Sequence, residues 1–165
     1  MKTIYLVRHA KSSWDNPRLP DFSRPLNKRG KRDAPFMGEQ LNEMEINPDL
    51  IISSPAKRAK KTAINIAEKI RYPKKKILFK EEIYEASEKT LLDVIKKLDD
   101  KLDSVMIFAH NPELTQLNNF ISKKYIDNIP TSGVVALEYD NEWSKVGKNS
   151  CKFLFFEYPK KYLKR

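Results

Sequence analysis

TIYLVRH at residues 3–9 and SVMIFAH at residues 104–110 are short apolar runs, each closed by a histidine, and these are the only two histidines in the chain. Runs of this length, bounded by polar segments, read as buried strands. Strands covered on both faces belong to mostly parallel sheets. Two parallel strands of one sheet end at the same edge, where open α/β sheets bind their ligands. His9 and His110 should therefore emerge together. Arg8 precedes the first histidine, and Arg58 follows a third apolar run in DLIISSPAKR, residues 49–58. Two imidazoles and two guanidiniums meeting at one point suit a tetrahedral dianion, and phosphate is the obvious candidate.

The rest of the chain fits around these strands. The apolar runs predict strands at 3–8, 49–53, 77–79 and 104–109, with helical patterns between them. Ala34, Met37, Leu41 and Met44 mark a first helix. Pro35 is awkward there, since an interior proline costs about 3 kcal/mol, so that helix should start near it or kink. Ser54 followed by Pro55 reads as an N-cap with proline at the first helical position. Ala59, Ala63, Ile66, Ala67 and Ile70 then share a face. Ser87 caps a third helix carrying Leu91, Ile95, Leu98 and Leu102. Pro112 and Glu113 open a fourth, with Leu114, Leu117, Phe120 and Ile121. GVVALEYD at 133–140 and CKFLFFEY at 151–158 read as a closing hairpin at one edge. Alternation of this kind implies an α/β fold, with helices on both faces of a mostly parallel sheet and a C-terminal edge hairpin.

The chain has 165 residues, enough for one domain spanning 1–165 with its own core. Charged residues make up 33% and hydrophobic residues 40%, a globular balance rather than a disordered one. No apolar run reaches the roughly 18 residues of a membrane span. The start, MKTIYLVRHA, enters a strand pattern without a cleavage signal, so a cytoplasmic location is expected. The single cysteine, Cys151, excludes an internal disulfide and reads as a small apolar residue at a strand start. Net charge is +10, with clusters at 57–61 (KRAKK), 69–76 (KIRYPKKK) and 160–165 (KKYLKR). That charge could steer an acidic or phosphorylated partner, or be a solvated surface with no particular partner. No nucleic-acid motif accompanies it, and two histidines without paired cysteines leave a zinc site short of ligands. Trp14 and Trp143 read as packing residues.

Phosphoryl transfer is mostly positioning and electrostatic stabilisation. A metal-free site needs a nucleophile, and a neutral imidazole serves when its other nitrogen is fixed by a hydrogen bond. His9 is the candidate nucleophile. Arg8 and Arg58 would clamp phosphate, and His110, charged, would stabilise the transferring group. Amides around Ala10–Ser12 could add donors. The loop KEEIYEAS (80–87) offers Glu81, Glu82 and Glu85 as proton donors. One neutral and one charged histidine would give a bell-shaped pH profile. Singly, each residue has a plainer reading: a structural histidine, an arginine in a basic helix turn, a surface glutamate. Their joint fall at strand ends is what favours a site.

The same residues carry a family resemblance. LVRHAKSSWD (6–15) resembles the LVRHGES-x-WN signature of the histidine phosphatase superfamily, which includes the phosphoglycerate mutases. DFSRPLNKRG (21–30) and ISSPAKRAKKTA (52–63) resemble its D-x-x-RPLT-x-x-G and S-S-x-x-x-RA-x-x-TA segments. FAHNPEL (108–114) and PTSGVVALE (130–138) resemble the SixA-like phosphohistidine phosphatase group. The resemblance implies a three-layer, phosphoglycerate mutase-like α/β/α sandwich. It implies a phosphohistidine intermediate on His9, with Arg8, Arg58 and His110 completing the pocket, and neither metal nor cofactor. It implies an open pocket that admits a phosphorylated protein side chain. Alignment places Glu81 at the acid position of the mutases, and Ser12 and Asp15 at supporting positions, Ser12 beside the phosphate. Ala10 stands where the signature has glycine. Three readings remain: a protein phosphohistidine phosphatase; a small-molecule phosphatase or mutase of the same fold; and a non-catalytic phosphate- or nucleic-acid-binding module.

Overall fold

The computed structural model describes residues 1–163, so the end of the basic cluster at 160–165 lies outside the described residues. Six strands, β1 (Lys2–Arg8), β2 (Leu50–Ser53), β3 (Leu78–Phe79), β4 (Ser104–Ala109), β5 (Val134–Tyr139) and β6 (Lys152–Glu157), form one sheet in the order β3-β2-β4-β1-β5-β6. The first four run parallel, and β5 and β6 add an antiparallel edge with a bulge at Ala136/Leu137. The period of two along β1 sorts its side chains cleanly. Ile4 and Leu6 enter one core cluster, while Tyr5 and Val7 enter another on the opposite face.

Helices cover both faces. α1 (Lys28–Glu43) and α2 (Lys57–Lys69) bury Met37, Leu41, Ala63, Ile66 and Ala67 against one face. α3 (Glu88–Lys96) and α4 (Glu113–Ile121) bury Leu91, Ile95, Leu114 and Leu117 against the other. Fully burying a side chain of this size stabilises by about 1.5–3 kcal/mol, which explains why these stripes decide the layers. Ser87 caps α3 as expected, accepting from the Thr90 amide.

Three local expectations are corrected. α1 starts at Lys28 rather than near Pro35, because the Asn27 side chain caps it by accepting from the Gly30 amide at 2.8 Å. Pro35 sits inside that helix and forgoes one ladder bond, offset by the buried Ala34, Met37 and Leu41. α2 starts at Lys57 with Ala56 at its N-cap, not at Pro55, and the Ser54 hydroxyl faces a histidine as well as the Ala56 amide. Trp143 packs in the core as expected, its indole donating to the Leu102 carbonyl at 3.0 Å, but Trp14 is 71% exposed.

Register sets the site. Arg8 pairs with Ala109, and Ser53 with Phe108. The next amides along, His9 and Ser54, donate to the carbonyls of Ala109 and Phe108 at 3.2 and 2.9 Å. His9, Ser54 and His110 thus leave three adjacent parallel strands at one level. β4 lies between β1 and β2, so the chain reverses direction across the sheet here, where such sheets open a crevice.

Candidate active site

His9 and His110 meet with ring centroids 5.0 Å apart and planes tilted by 52°. His9 Nδ1 lies 2.8 Å from the Ala10 carbonyl. A carbonyl only accepts, so Nδ1 carries the hydrogen and Nε2 keeps its lone pair. The Ala10 backbone has no positive φ, so alanine fits where the signature has glycine. The Ala10 amide donates to Thr62 Oγ1 at 2.9 Å, and that hydroxyl donates to the Arg58 carbonyl at 2.7 Å. One α2 side chain thereby ties the loop after β1 to the helix that carries Arg58.

His110 is held from two sides. Arg58 Nη2 approaches its Nδ1 at 3.4 Å, and its Nε2 lies 2.7 Å from Ser54 Oγ. A guanidinium only donates, so Nδ1 is the acceptor and Nε2–H donates to Ser54. Burial pushes the His9 imidazole down to about 3, and His110, Arg58 and Arg8 add to that against the Ala10 hydrogen bond. Burial pushes His110 down to about 4, Arg58 and Arg8 adding to it while Asp21 opposes it. In the ligand-free site burial therefore favours the neutral form of both rings.

Both arginines lie near these rings. Arg8 donates from Nη1 to the Ile129 carbonyl at 3.0 Å, while its buried Nε has no partner among the described residues. The Ser132 amide donates to the carbonyls of both Arg8 and His9 at 3.1 Å, anchoring the PTSG loop against the nucleophile loop. Glu113, at the start of α4, is buried; burial raises its carboxyl pKa, with the Arg8 charge opposing. Arg58 is buried as well. It donates from Nη1 to the Asp21 carbonyl at 2.8 Å and from Nη2 to Asp21 Oδ2 at 3.0 Å.

The structure brings Arg8, His9, Arg58 and His110 into one cluster, and the Ser12 side chain is linked to it through Arg24 and Asp21. Ser12 Oγ accepts from Arg24 Nη2. Glu81 is exposed on the 3-10 turn Glu81–Ile83 and makes no side-chain contact with the four. From that loop it is Tyr84 that turns inward. Its hydroxyl donates to Asp21 Oδ2 at 2.8 Å, and its ring meets His110 edge-on with centroids 5.8 Å apart. Sequence reasoning missed Tyr84, Asp21, Arg24, Ser54 and Thr62 as members of the site. The acid–base pair at i and i+3 in DFSRPL was the available signal for Asp21 and Arg24. Among the described residues no group of three or more His, Cys, Asp or Glu side chains is placed to hold a metal.

Comparison with known proteins agrees with this geometry. Residues 4–103 match the model of the histidine phosphatase superfamily (branch 1). An uncharacterized protein of Mycobacterium leprae is 26% identical, over 93% of this chain and all of its own. The structure of SixA from Agrobacterium tumefaciens superposes with a TM-score of 0.81 at 28% identity, covering 96% of this chain and 98% of that one. The protein histidine phosphatase SixA complexed with tungstate superposes with a TM-score of 0.82 at 18% identity, with the same coverage. With the matching segment spanning most of the chain and the fold shared end to end, this chain belongs to the histidine phosphatase superfamily.

Proposed function

We propose that this protein is a phosphatase that works through a phosphohistidine on His9, and that its substrates are phosphohistidine-bearing proteins. The observation that carries the reading is the tautomer of His9. Its Nδ1–H is committed to the Ala10 carbonyl and its pKa is far below 7, so Nε2 presents a lone pair at physiological pH. Arg8 and Arg58 are the clamp on the phosphoryl oxygens. The buried, unpartnered Arg8 Nε supports this, since buried donors ordinarily find an acceptor and a phosphate oxygen is one. A bound phosphate dianion works against the burial and the guanidinium charges that hold the His110 pKa down, and the protonated ring then donates to the transferring group.

The steps balance simply. The Nε2 lone pair of His9 forms a bond to phosphorus as the P–N bond of a substrate ring protonated on its other nitrogen breaks, and the electron pair leaves with the substrate nitrogen as a neutral imidazole. Water then attacks the phosphohistidine, its oxygen bonding to phosphorus. The P–Nε2 bond pair returns to His9, and orthophosphate departs with the proton shed by the water. The substrate imidazole is a good leaving group, so the reading needs no strong acid. Glu81, exposed and out of contact, has no part in it. Support for a protein substrate comes from the SixA structures that match nearly the whole chain and from the net charge of +10, which favours acidic partners. The reading treats residues 1–165 as one catalytic domain acting in the cytoplasm; no helix of the described residues is long and apolar enough to cross a membrane.

The test is to quench the enzyme during turnover of a phosphohistidine protein and map the modified residue by mass spectrometry. Phosphate on His9, lost in His9→Ala, is expected. Turnover of small sugar or glycerate phosphates alone would transfer the assignment to the small-molecule branch. Oxyanion binding without any turnover would leave a binding module.

A further inference from the structure

Arg58 does not stand alone in the pocket wall. Both of its terminal nitrogens are held by a single residue, Nη1 by the Asp21 carbonyl and Nη2 by the Asp21 carboxylate. The same carboxylate accepts from the Tyr84 hydroxyl at 2.8 Å and from Arg24 Nη1 at 3.0 Å. Arg24 is fixed in turn by the Ser13 carbonyl at 3.1 Å, by Ser12 Oγ, and by the indole of Trp14, whose ring centroid lies 3.2 Å from its guanidinium carbon. Asp21 thus gathers the loop after β1, the N-terminal turn of α2 and the loop after β3 onto one carboxylate. Burial alone would raise its pKa, but Tyr84, Arg58 and Arg24 outweigh that and hold it at about 2. It is therefore ionised at neutral pH.

A free arginine side chain carries rotamer entropy that is lost when its guanidinium is fixed. Held by Asp21, Arg58 has lost that freedom before any ligand arrives. A guanidinium has five N–H donors. Asp21 takes one from each terminal nitrogen, which leaves hydrogens on both for other acceptors, and Nη2 already faces His110 Nδ1 at 3.4 Å.

We propose that Asp21 is a positioning residue that acts through Arg58, presetting its guanidinium in register with His9 and His110 for an oxyanion. The inference rests on the reading above that Arg58 contacts the transferring phosphate. The Asp21 carboxylate also offsets one positive charge where Arg24 and Arg58 converge. Tyr84, on the same carboxylate, shares this task.

A double-mutant cycle tests it, because a residue that acts only through Arg58 has nothing to act on when Arg58 is gone. Asp21→Asn keeps the volume and removes the charge. It should lower kcat/KM on p-nitrophenyl phosphate about tenfold beside Arg58, a typical coupling between contacting residues, and less than about twofold in an Arg58→Ala background. Equal losses in both backgrounds would overturn the proposal, since a structural defect does not depend on Arg58. Asp21→Glu keeps the charge but moves it by one methylene, so it should also fall well below wild type. Full activity in that variant would equally defeat a positioning role. Tyr84→Phe leaves Asp21 in place and should produce a smaller loss with the same dependence on Arg58; it keeps the idea testable if the Asp21 variants fold poorly. The cycle can also be read as the Kd for inorganic tungstate, which needs no turnover. A wild type that binds tungstate and hydrolyses nothing ends the phosphatase reading. Equal weakening of tungstate binding in both backgrounds ends this one.

Discussion

The Ala10 amide donates to the Thr62 hydroxyl at 2.9 Å, across 52 residues of sequence. That hydroxyl also donates to the Arg58 carbonyl, so it is satisfied on both sides and fully buried. Thr62→Val would keep the shape and remove both bonds. The Ala10 amide would be left buried without a partner, which costs about 1–3 kcal/mol. A chain of this size should then melt about 2–4 °C lower for each kcal/mol. The loop that orients His9 would loosen with it, so kcat should fall more than Thr62→Ser lowers it. Thermal melting together with steady-state kinetics reads both effects, and a Thr62→Val protein with unchanged melting and kcat would refute the link.

The pH response follows from burial. His9 and His110 have folded-state pKa values of about 3 and about 4, against about 6.5 in the unfolded chain. Between those limits the unfolded state binds more protons, so stability rises with pH there and is lost as pH falls below about 6.5. Above about 7.5 neither group contributes a slope. Unfolding monitored by denaturant at pH 8.5, 7.5, 5.5 and 4.5 should show a midpoint constant over the first step and falling over the others. In kinetics, the acid limb of kcat/KM that belongs to free His9 should lie below pH 5 rather than near 6.5. An acid limb centred near 6.5 would show that a solvent-like histidine, not the buried pair, controls the free enzyme.

The four residues at the strand ends were legible because apolar runs of fixed period place their last residues at one sheet edge, whatever the intervening loops do. Arg8, His9 and His110 follow from that rule, and Arg58 from its place in the first turn of the helix after β2. The loops follow no such rule. Tyr84 and Glu81 lie three residues apart on one turn, and only tertiary contact with Asp21 and His110 decides which side chain faces inward. Ser54 before Pro55 has the local chemistry of a helix cap. The structure starts the helix later and turns that hydroxyl toward His110, a partner 56 residues away. Pro35 misleads for a related reason: its local cost is set against a buried helix face that no short window reveals.

Gly30 marks a contact that no other residue can make. It lies in the first turn of α1, against the loop that leads away from His9. A Cβ there would sit 3.0 Å from the Lys11 amide nitrogen and closer still to its carbonyl oxygen. That carbonyl accepts from the Asn27 amide at 3.0 Å, so it cannot simply swing away. Alanine gains about 1 kcal/mol over glycine in a helix interior, yet forcing an atom into packed backbone typically costs about 1–3 kcal/mol. Gly30→Ala should therefore lower the melting temperature, and kcat with it, because the displaced segment begins two residues after the nucleophile. A melting temperature at or above wild type would mean that α1 can shift freely against that loop.

The two tryptophans offer a separation of stability from site geometry. Trp143 is buried between α3 and the hairpin, stacks on Tyr139 and donates to the Leu102 carbonyl. Truncating a buried tryptophan costs about 3–5 kcal/mol, so Trp143→Ala should melt far below wild type yet keep near-normal kcat/KM at a temperature where it is still folded. Trp14 is exposed, and its ring covers the Arg24 guanidinium. At an exposed ring such a contact is worth about 0.5–1 kcal/mol, so Trp14→Ala should lower melting by only a few degrees. Its loss uncovers the Arg24–Asp21 ion pair, with 3.0 Å between its partners, to water and salt. Activity of Trp14→Ala should accordingly decline with added salt more steeply than that of wild type, through the looser hold on Arg58. Salt profiles that run parallel for the two proteins would mean that Trp14 shields nothing, and that the Asp21 cluster keeps its geometry without it.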